Sequence, residues 1–159
     1  MSYLLLFILG LFLGQIRTKT LLREGKPYLI RITLFKCSYF SVKIHKALMS
    51  DPAIPHDHPW NYLSIILWGG YFEETVKITH IYTLNDKSLK YDVPHPVPWH
   101  DEKWYGPGSI LYRRGDKFHK LIIPEGKYSI SLIFTGKKWR EWGFWDFYKG
   151  WISHKQKTY

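Results

Sequence analysis

The sequence predicts an all-β chain that folds as one antiparallel barrel behind an apolar N-terminal extension. Short runs rich in aromatic and β-branched residues recur at intervals of roughly 8 to 12 residues, a spacing typical of β-sandwiches and barrels. Glycine, proline and asparagine turns separate these runs. Of the 159 residues, 45% are hydrophobic and 18% aromatic, so the chain is long enough for one sizeable core and too apolar for disorder.

The first sixteen residues, MSYLLLFILGLFLGQI, contain no charged side chain. The run is slightly shorter than the roughly 17 to 25 residues of a membrane-spanning helix, and it lacks the basic start and the cleavage site of a secretory signal. We therefore expect residues 1–25 to form a separate helical extension, either packed on the domain or anchored in a membrane, and residues 26–159 to form the domain.

Arg17, Lys19 and Arg23 directly follow the apolar run. If the run were a membrane anchor, these basic residues would keep the domain on the cytoplasmic side. The predicted location is therefore cytoplasmic, and membrane association through residues 1–16 is an open alternative.

The predicted strands follow the extension in order. PYLIRITLF and SYFSVKI come first, and the loop HKALMSDPAIP leads to a histidine pair. The strand NYLSIILW ends at Gly69 and Gly70, and YFEETVKITHIYTL runs to a turn at Asn85 and Asp86. The stretch YDVPHPVPWHDEKWYGPG holds four of the nine prolines, which excludes regular helix and predicts an extended surface loop. The strands SILYRR, FHKLII and YSISLIFTG complete the barrel.

The overall charge and the cysteine count limit the kinds of partner and metal site that the chain can have. A formal net charge of +10 favours anionic partners without choosing among them. Nucleic acid is disfavoured, because no nucleic-acid-binding motif accompanies the charge. Cys37 is the one cysteine, so an intramolecular disulfide and a multi-cysteine zinc site are excluded. A metal site in this chain would have to use histidine.

His56 and His58 are separated by one residue at the start of a predicted strand. Side chains alternate along an extended chain, so both imidazoles lie on the same face and can converge on one ligand. An isolated pair of this kind is also common in ordinary loops, and a third ligand is needed to distinguish the two interpretations.

The spacing of this pair and of a later segment resembles the two motifs of the cupin superfamily. In the first motif a histidine pair is followed by an acidic position and a glycine, which correspond here to Leu63 and Gly70 after His58. The second motif ends in a metal-binding histidine, and its glycine and histidine positions correspond to Gly108 and His119. The resemblance implies a jelly-roll barrel with a divalent metal on His56, His58 and His119, which would be the catalytic centre.

Leu63 replaces the acidic ligand of many cupins, so the resemblance implies a site of three histidines. Three neutral imidazoles leave the metal its full charge and open positions for substrate or dioxygen. This set is similar to that of the thiol dioxygenases, cupins that use ferrous iron, and it makes Fe(II) the expected cofactor, with Ni, Mn or Zn as alternatives. Glu73 and Glu74 are expected at the surface, with a fourth metal ligand as the second interpretation, and Asp57 and Asp116 are the expected hydrogen-bond partners of the ligands.

A second likeness is carried by the strings HDHPW, SIILWGGYFEE and TGKKWREWGF. These segments are similar to a group of small single-domain cupin proteins of bacterial and viral genomes, over about Tyr28 to Trp151. The likeness implies a fold and no particular substrate.

Four further residues are candidates for substrate binding. Arg113 and Arg140 lie near predicted strands, and a guanidinium can hold a carboxylate or phosphate through two parallel hydrogen bonds. Arg140 can instead stack on Trp139 or Trp142 in a structural contact. Tyr71 and Trp60 are candidates for the pocket wall, although aromatic residues of this kind more often belong to a core.

Three functions are compatible with these observations. The first is a metal-dependent cupin enzyme, an iron dioxygenase by resemblance, acting on a small anionic molecule. The second is a non-catalytic module that binds an anionic ligand such as a nucleotide. The third is a cupin isomerase or epimerase in which His119 acts as a base without a metal. A homodimer is compatible with each of them.

Overall fold

The computed structural model describes residues 16–76, 100–146 and 149–156. Eleven strands and no helix occur in these ranges, which confirms the prediction of an all-β chain. In chain order the strands are β1 (Arg17–Arg23), β2 (Lys26–Lys36), β3 (Ser41–Ala47), β4 (Tyr62–Trp68), β5 (Tyr71–Val76), β6 (His100–Tyr105), β7 (Ile110–Arg113), β8 (Phe118–Ile122), β9 (Ser129–Thr135), β10 (Gly143–Asp146) and β11 (Gly150–Ser153).

The strands form two layers of antiparallel sheet. Six of them form one sheet in the order β1-β2-β3-β9-β4-β7, and the remainder pair as β6-β5-β8 and β10-β11. Strand β9 pairs with β3 and β4, both distant in sequence, as in a jelly roll. Main-chain bridges from His56 to His119 in β8 and to Phe144 in β10 join the two smaller sheets.

Strand β9 reverses the usual relation between polarity and burial. Ser131 and Thr135 are buried, whereas Leu132 and Phe134, on the other face, are only half-buried. An amphipathic strand in a sheet usually directs its apolar residues inward. In this barrel Ser131, Ile133 and Thr135 on the inward face of β9 line an internal cavity.

Two clusters of buried apolar side chains form the core. One consists of Ile66, Tyr71, Leu111 and Ile123, and the other of Val76, Phe118 and Trp145. Both clusters include residues of β5 or its neighbour β8, which fixes these two strands against the rest of the barrel.

The described part of the predicted N-terminal extension belongs to the barrel. Residues 17–23 form β1 and pair with β2 along its length. The predicted helical run at residues 1–15 lies outside the described residues, and with it almost all of the proposed membrane segment. In the ranges that the structure covers, no helix is long and apolar enough to cross a membrane.

Two further segments differ from the prediction. The end of the predicted proline-rich loop, His100–Tyr105, forms β6 and pairs with β5, because an extended segment can satisfy its backbone groups at a sheet edge. The predicted strand after Gly70 is described as far as Val76, and residues 77–99 lie outside the described ranges. Strands β10 and β11 were not predicted, because their tryptophan-rich sequence shows no clear alternation.

Candidate metal centre

The three histidines suggested by the motif spacing converge inside the barrel. One nitrogen of each of His56, His58 and His119 lies within 4.8 Å of the corresponding nitrogens of the other two. His58 Nε2 and His119 Nε2 are 2.8 Å apart. The His56 ring centroid is 4.9 Å from that of each other histidine. The group therefore has the ligand number and the donor type of a histidine metal site.

Main-chain hydrogen bonds place the histidines. His56 N donates to His119 O at 2.9 Å, and His119 N donates to His56 O at 3.0 Å, so these two histidines form a hydrogen-bonded backbone pair on adjacent segments. His58 N donates to Gly115 O at 2.8 Å. A Cβ on Gly115 would lie 2.7 Å from His58 O and 2.9 Å from Trp60 O, so a side chain at residue 115 would displace the histidine loop.

Asp57 anchors the loop that carries the histidine pair. It points away from the two imidazoles, as alternation requires, and is fully buried. Its carboxylate accepts hydrogen bonds from Gly143 N at 2.6 Å and Trp151 Nε1 at 3.2 Å, and pairs with Arg140 Nη1 at 2.7 Å. Burial raises the pKa of Asp57, and the bond from Gly143 and the charge of Arg140 offset part of that rise.

These contacts correct one expectation about ligand support. Asp57 binds the C-terminal segment, and Asp116 pairs with Arg114 at 2.8 Å, so the described contacts of both aspartates are with residues other than the histidines. The contacts of Asp57 also connect the string HDHPW to the C-terminal string KKWREWGF and to Trp151. The two strings are parts of one buried junction.

Glu73 supports His119, and its predicted surface position is wrong. Its side chain is 2% exposed, and Oε1 accepts a hydrogen bond from His119 Nδ1 at 2.8 Å. Strand β5 pairs with β8 so that Thr75 is opposite His119, and Glu73, two residues from Thr75, shares its face. The position of Glu73 beside His119 could not be predicted from the sequence, because it depends on the pairing of β5 with β8.

Arg113 completes a buried chain behind His119. It donates Nε to Glu73 Oε1 at 3.0 Å, forms a second hydrogen bond to Oε2, and also donates to the Tyr105 hydroxyl at 3.1 Å. Burial alone raises the pKa of Glu73, but the hydrogen bonds from His119 and Arg113 outweigh it and lower that pKa to about 2. Glu73 is therefore an anion at neutral pH.

The hydrogen bonding of His119 and the environment of His58 suit a metal. The Nδ1 proton of His119 is held by Glu73, which leaves Nε2 as the atom facing the other rings. Burial, followed by the neighbouring His56 and His119, lowers the pKa of His58 well below its usual value. Neutral imidazoles are the form that binds divalent ions, so the residues fit such an ion.

Tyr62 is a further polar group at the centre that sequence analysis missed. Its hydroxyl lies 3.3 Å from His119 Nε2, and its ring packs edge-on against His58. Burial raises the pKa of Tyr62 well above its usual value, so the phenol keeps its proton. Tyr62 is adjacent to Leu63, the position compared with the acidic ligand of other cupins. The residue that faces the histidines is therefore Tyr62.

A cavity of about 320 Å³ opens from the three histidines. Trp60 and Tyr71 line it, as predicted for a pocket wall. Of the described residues, neither Arg113 nor Arg140 is part of the lining. Arg140 lies over the Trp139 ring, 5.6 Å from its centroid. Substrate binding by the two arginines stays a prediction.

Two other cations line the cavity. Arg31 in β2 donates to His45 Nε2 at 3.1 Å, and Lys43 in β3 is only 8% exposed. Burial, together with Arg31 and Lys36, lowers the pKa of Lys43 to about 8, and burial lowers the pKa of His45 to about 3. No carboxylate among the described residues lies within ion-pair distance of Arg31 or Lys43. Their inward direction follows from the strand register, which the sequence did not provide.

Comparisons with known proteins support the fold. A search of solved structures finds a cupin-2 domain protein, Rru_A2000 from Rhodospirillum rubrum, with a TM-score of 0.54 and 11% identity over 80% of this chain and 73% of that one. An RmlC-like cupin from Shewanella frigidimarina gives a TM-score of 0.52 and 12% identity over 80% of this chain and 88% of that one. The chain has a cupin fold.

A third similar structure is HppE with Fe(II), at a TM-score of 0.52 and 15% identity over 77% of this chain. This cupin-fold chain spans 57% of the length of that protein. Neither a scan against protein-family models nor a search of curated proteins finds a match. The cupin fold is consequently shown by structure, and the activity has to be argued from the site.

Proposed function

We propose that this cupin is a metal-dependent enzyme that holds one divalent ion, Fe(II), on His56, His58 and His119 and acts as a dioxygenase on a small anionic molecule. The observation that carries the proposal is the convergence of three histidine imidazoles in the wall of a cavity that is also lined by Arg31 and Lys43. Fe(II) is favoured by the histidine set and by the Fe(II) protein HppE, which has a similar fold. A bound ferrous ion would supply redox chemistry with dioxygen and an open position for substrate.

The residues of the chain have distinct roles in this proposal. The three histidines hold the ion, and Glu73 orients His119 and increases its basicity through the Nδ1 hydrogen bond. Tyr62 keeps its proton and can donate a hydrogen bond to a substrate oxygen beside the centre. Lys43 attracts the anionic part of the substrate, while Trp60 and Tyr71 exclude water from part of the cavity.

Metal analysis of tag-free protein tests the proposal. We expect one equivalent of iron per chain in protein purified without oxygen, and less than a tenth of that in His58→Ala. His154→Gln is the matched control, because His154 stacks on Trp142 at 4.5 Å between centroids and is not one of the three proposed ligands. Circular dichroism and thermal melting show whether each variant folds. If the unmodified chain retains no divalent ion, or if His58→Ala retains it, the proposal is wrong.

A second candidate is a metal-free isomerase or epimerase. The observation that favours it is the hydrogen-bonded pair of His119 and Glu73 next to the Tyr62 hydroxyl, which places a base and an acid on one substrate position. A folded, metal-free protein that exchanges a substrate C–H proton for deuterium would support this function. Loss of exchange in Tyr62→Phe with binding unchanged would assign the acid. Binding without exchange or turnover would instead indicate a non-catalytic module.

A further inference from the structure

A second, larger cavity adjoins the histidine cavity and has a strongly basic lining. Its volume is about 1020 Å³, and the described residues of its wall include seven arginines and lysines but no aspartate or glutamate. The two cavities share four wall residues, namely Arg31, Lys43, Trp60 and Thr135. We call the larger cavity the basic vestibule, and its shared wall places it directly beside the histidine cavity.

Strand register explains why so many cations face one space. Lys19 in β1 is opposite Arg31 in β2, and Arg31 is opposite His45 in β3. One row further, Arg17 is opposite Thr33, and Thr33 is opposite Lys43. Cross-strand partners share a face of the sheet, so alternate residues of three strands direct positive charge to the same side.

Among the pairs recorded between described residues, one joins a vestibule lysine to a carboxylate. Lys138 pairs with Glu141 at 3.0 Å. Lys43, which is 8% exposed, has the Thr135 hydroxyl at 3.5 Å and the Trp60 ring centroid at 4.5 Å as its described partners. A buried ammonium held only by a hydroxyl and a ring is costly, and an anionic ligand would offset that cost.

We propose that the basic vestibule binds a phosphate-bearing group with two or more negative charges, so that the substrate is a phosphorylated small molecule whose reactive part reaches the three histidines. This inference rests on the proposed function for the role of the histidines, but the anion site itself does not. A single carboxylate carries one charge, whereas a phosphate or diphosphate carries two or more and offers more acceptor oxygens. The Thr33 hydroxyl lies in the wall and can donate to those oxygens, and so can one hydroxyl of the Ser41 and Thr135 pair, which are hydrogen-bonded to each other at 2.6 Å.

The test is calorimetric titration of inorganic pyrophosphate into the full chain, with succinate as the dicarboxylate comparison. We expect pyrophosphate to bind at least about tenfold more tightly than succinate, and Lys43→Gln to weaken pyrophosphate binding about tenfold or more, the scale of one charge-assisted hydrogen bond. Lys127→Gln removes the same charge from an exposed turn outside both cavities and should bind like the unmodified chain.

A second variant protects the test against misfolding. The double variant Lys36→Gln/Lys137→Gln changes exposed vestibule residues, so its fold should persist, and its pyrophosphate affinity should also fall by about tenfold or more. Equal binding of pyrophosphate and succinate, or variants that bind like Lys127→Gln, would overturn the inference. Tighter binding of a single-stranded oligonucleotide than of pyrophosphate would overturn it as well.

Parallel titrations separate this inference from the proposed function. Pyrophosphate also chelates metals, so a bound ion could contribute to the measured affinity. Pyrophosphate is therefore titrated into the unmodified chain after metal removal with a chelator, and separately into His58→Ala. We expect the affinity to be the same in both, within about threefold, because the vestibule cations are not metal ligands. Pyrophosphate binding by a chain that never retains iron would disprove the proposed function and support the vestibule. Iron retention without pyrophosphate binding would support the proposed function and disprove the phosphate site in the vestibule.

Discussion

At the scale of single residues, the centre depends on a carboxylate that is not itself a proposed ligand. Glu73 is 2% exposed and links Arg113 to His119. A buried anion of this kind is tolerated because it has a cationic partner and several hydrogen bonds. Its effect on the proposed metal is indirect, through the orientation and basicity of one imidazole.

Replacement of Glu73 by glutamine should weaken metal binding and leave the ligand set intact. We expect Glu73→Gln to lower the affinity for Fe(II) by about 10- to 100-fold, the usual effect of removing such a partner. Glu74→Gln is the control, because Glu74 pairs with Lys120 at 2.8 Å on the opposite face of β5. Competition with a chromophoric chelator measures both affinities, and equal affinities would show that Glu73 has no role in metal binding.

At the scale of elements, the loop with the histidine pair is held between two distant segments. The turn at Gly115 receives the hydrogen bond of His58 N, and the segment around Gly143 binds Asp57. Arg140 joins these two contacts, since it pairs with Asp57 and donates to Gly115 O at 3.1 Å. The loop geometry is therefore fixed by backbone approach as well as by side-chain pairing.

A methyl group at Gly115 should disturb this loop. The added Cβ would be 2.7 Å from His58 O and 2.9 Å from Trp60 O, both backbone atoms that cannot rotate away. We expect Gly115→Ala to lower the free energy of unfolding by about 2 kcal/mol or more and to reduce the metal content. In Gly136→Ala the nearest atom is Asn61 O at 3.6 Å, so this control should behave like the unmodified chain. Urea unfolding and metal analysis compare them, and equal results for the two variants would contradict the prediction.

The ion pair of Asp57 should contribute strongly to stability, since Asp57 is fully buried and has three described partners. Asp57→Asn leaves Arg140 half-buried without its anion, and we expect a loss of about 3 kcal/mol in the free energy of unfolding. Asp116→Asn removes a carboxylate from an exposed pair with Arg114, which should cost less than about 1 kcal/mol. Urea unfolding at neutral pH measures the difference, and similar losses for the two variants would disprove the role of Asp57.

At the scale of the whole molecule, the polar and charged groups buried in the barrel make the fold less stable than an apolar interior would. Buried serines and threonine of β9 face the cavity, and Lys43 is buried among Arg31, Lys36, Trp60 and Thr135. Cost of this kind is typical of sites that bind a ligand, because function requires groups that packing alone would exclude.

The free-energy cost of burying the charged Lys43 should make the stability of the ligand-free protein depend on pH. Burial and the charges of Arg31 and Lys36 lower the pKa of Lys43 from 10.5 to about 8. The charged form is therefore disfavoured in the folded state, so the cost is complete below about pH 8 and is relieved as pH rises towards 10.5. We expect Lys43→Met to be more stable than the unmodified chain at pH 7, by up to about 3 kcal/mol, and the gap to shrink between pH 8 and 10.5.

Urea unfolding at several pH values in a buffer without phosphate measures this gap. Lys127→Met is the control, because Lys127 is exposed, and its stability relative to the unmodified chain should not change with pH. A gap for Lys43→Met that is constant from pH 7 to 10.5, or a less stable variant at pH 7, would show that Lys43 is adequately compensated without a ligand.

The sequence alone determined the class of fold and the three histidines. Alternating apolar runs identify strands because side-chain direction along a strand is a local property, and the motif spacing identified His56, His58 and His119. Segments without such alternation, β10 and β11 among them, were missed for the same reason. The expectation of an anionic partner also followed from composition, since net charge needs no structure.

Only the tertiary structure decided what surrounds the histidines. Glu73, Tyr62, Arg31 and Lys43 face the site because of strand register, and a shift of one residue would direct each of them to the other face. The role of Asp57 likewise depends on Gly143, 86 residues away in the chain. Histidines at motif spacing can be recognised from sequence, whereas the residues that surround them are brought together by pairings between distant strands.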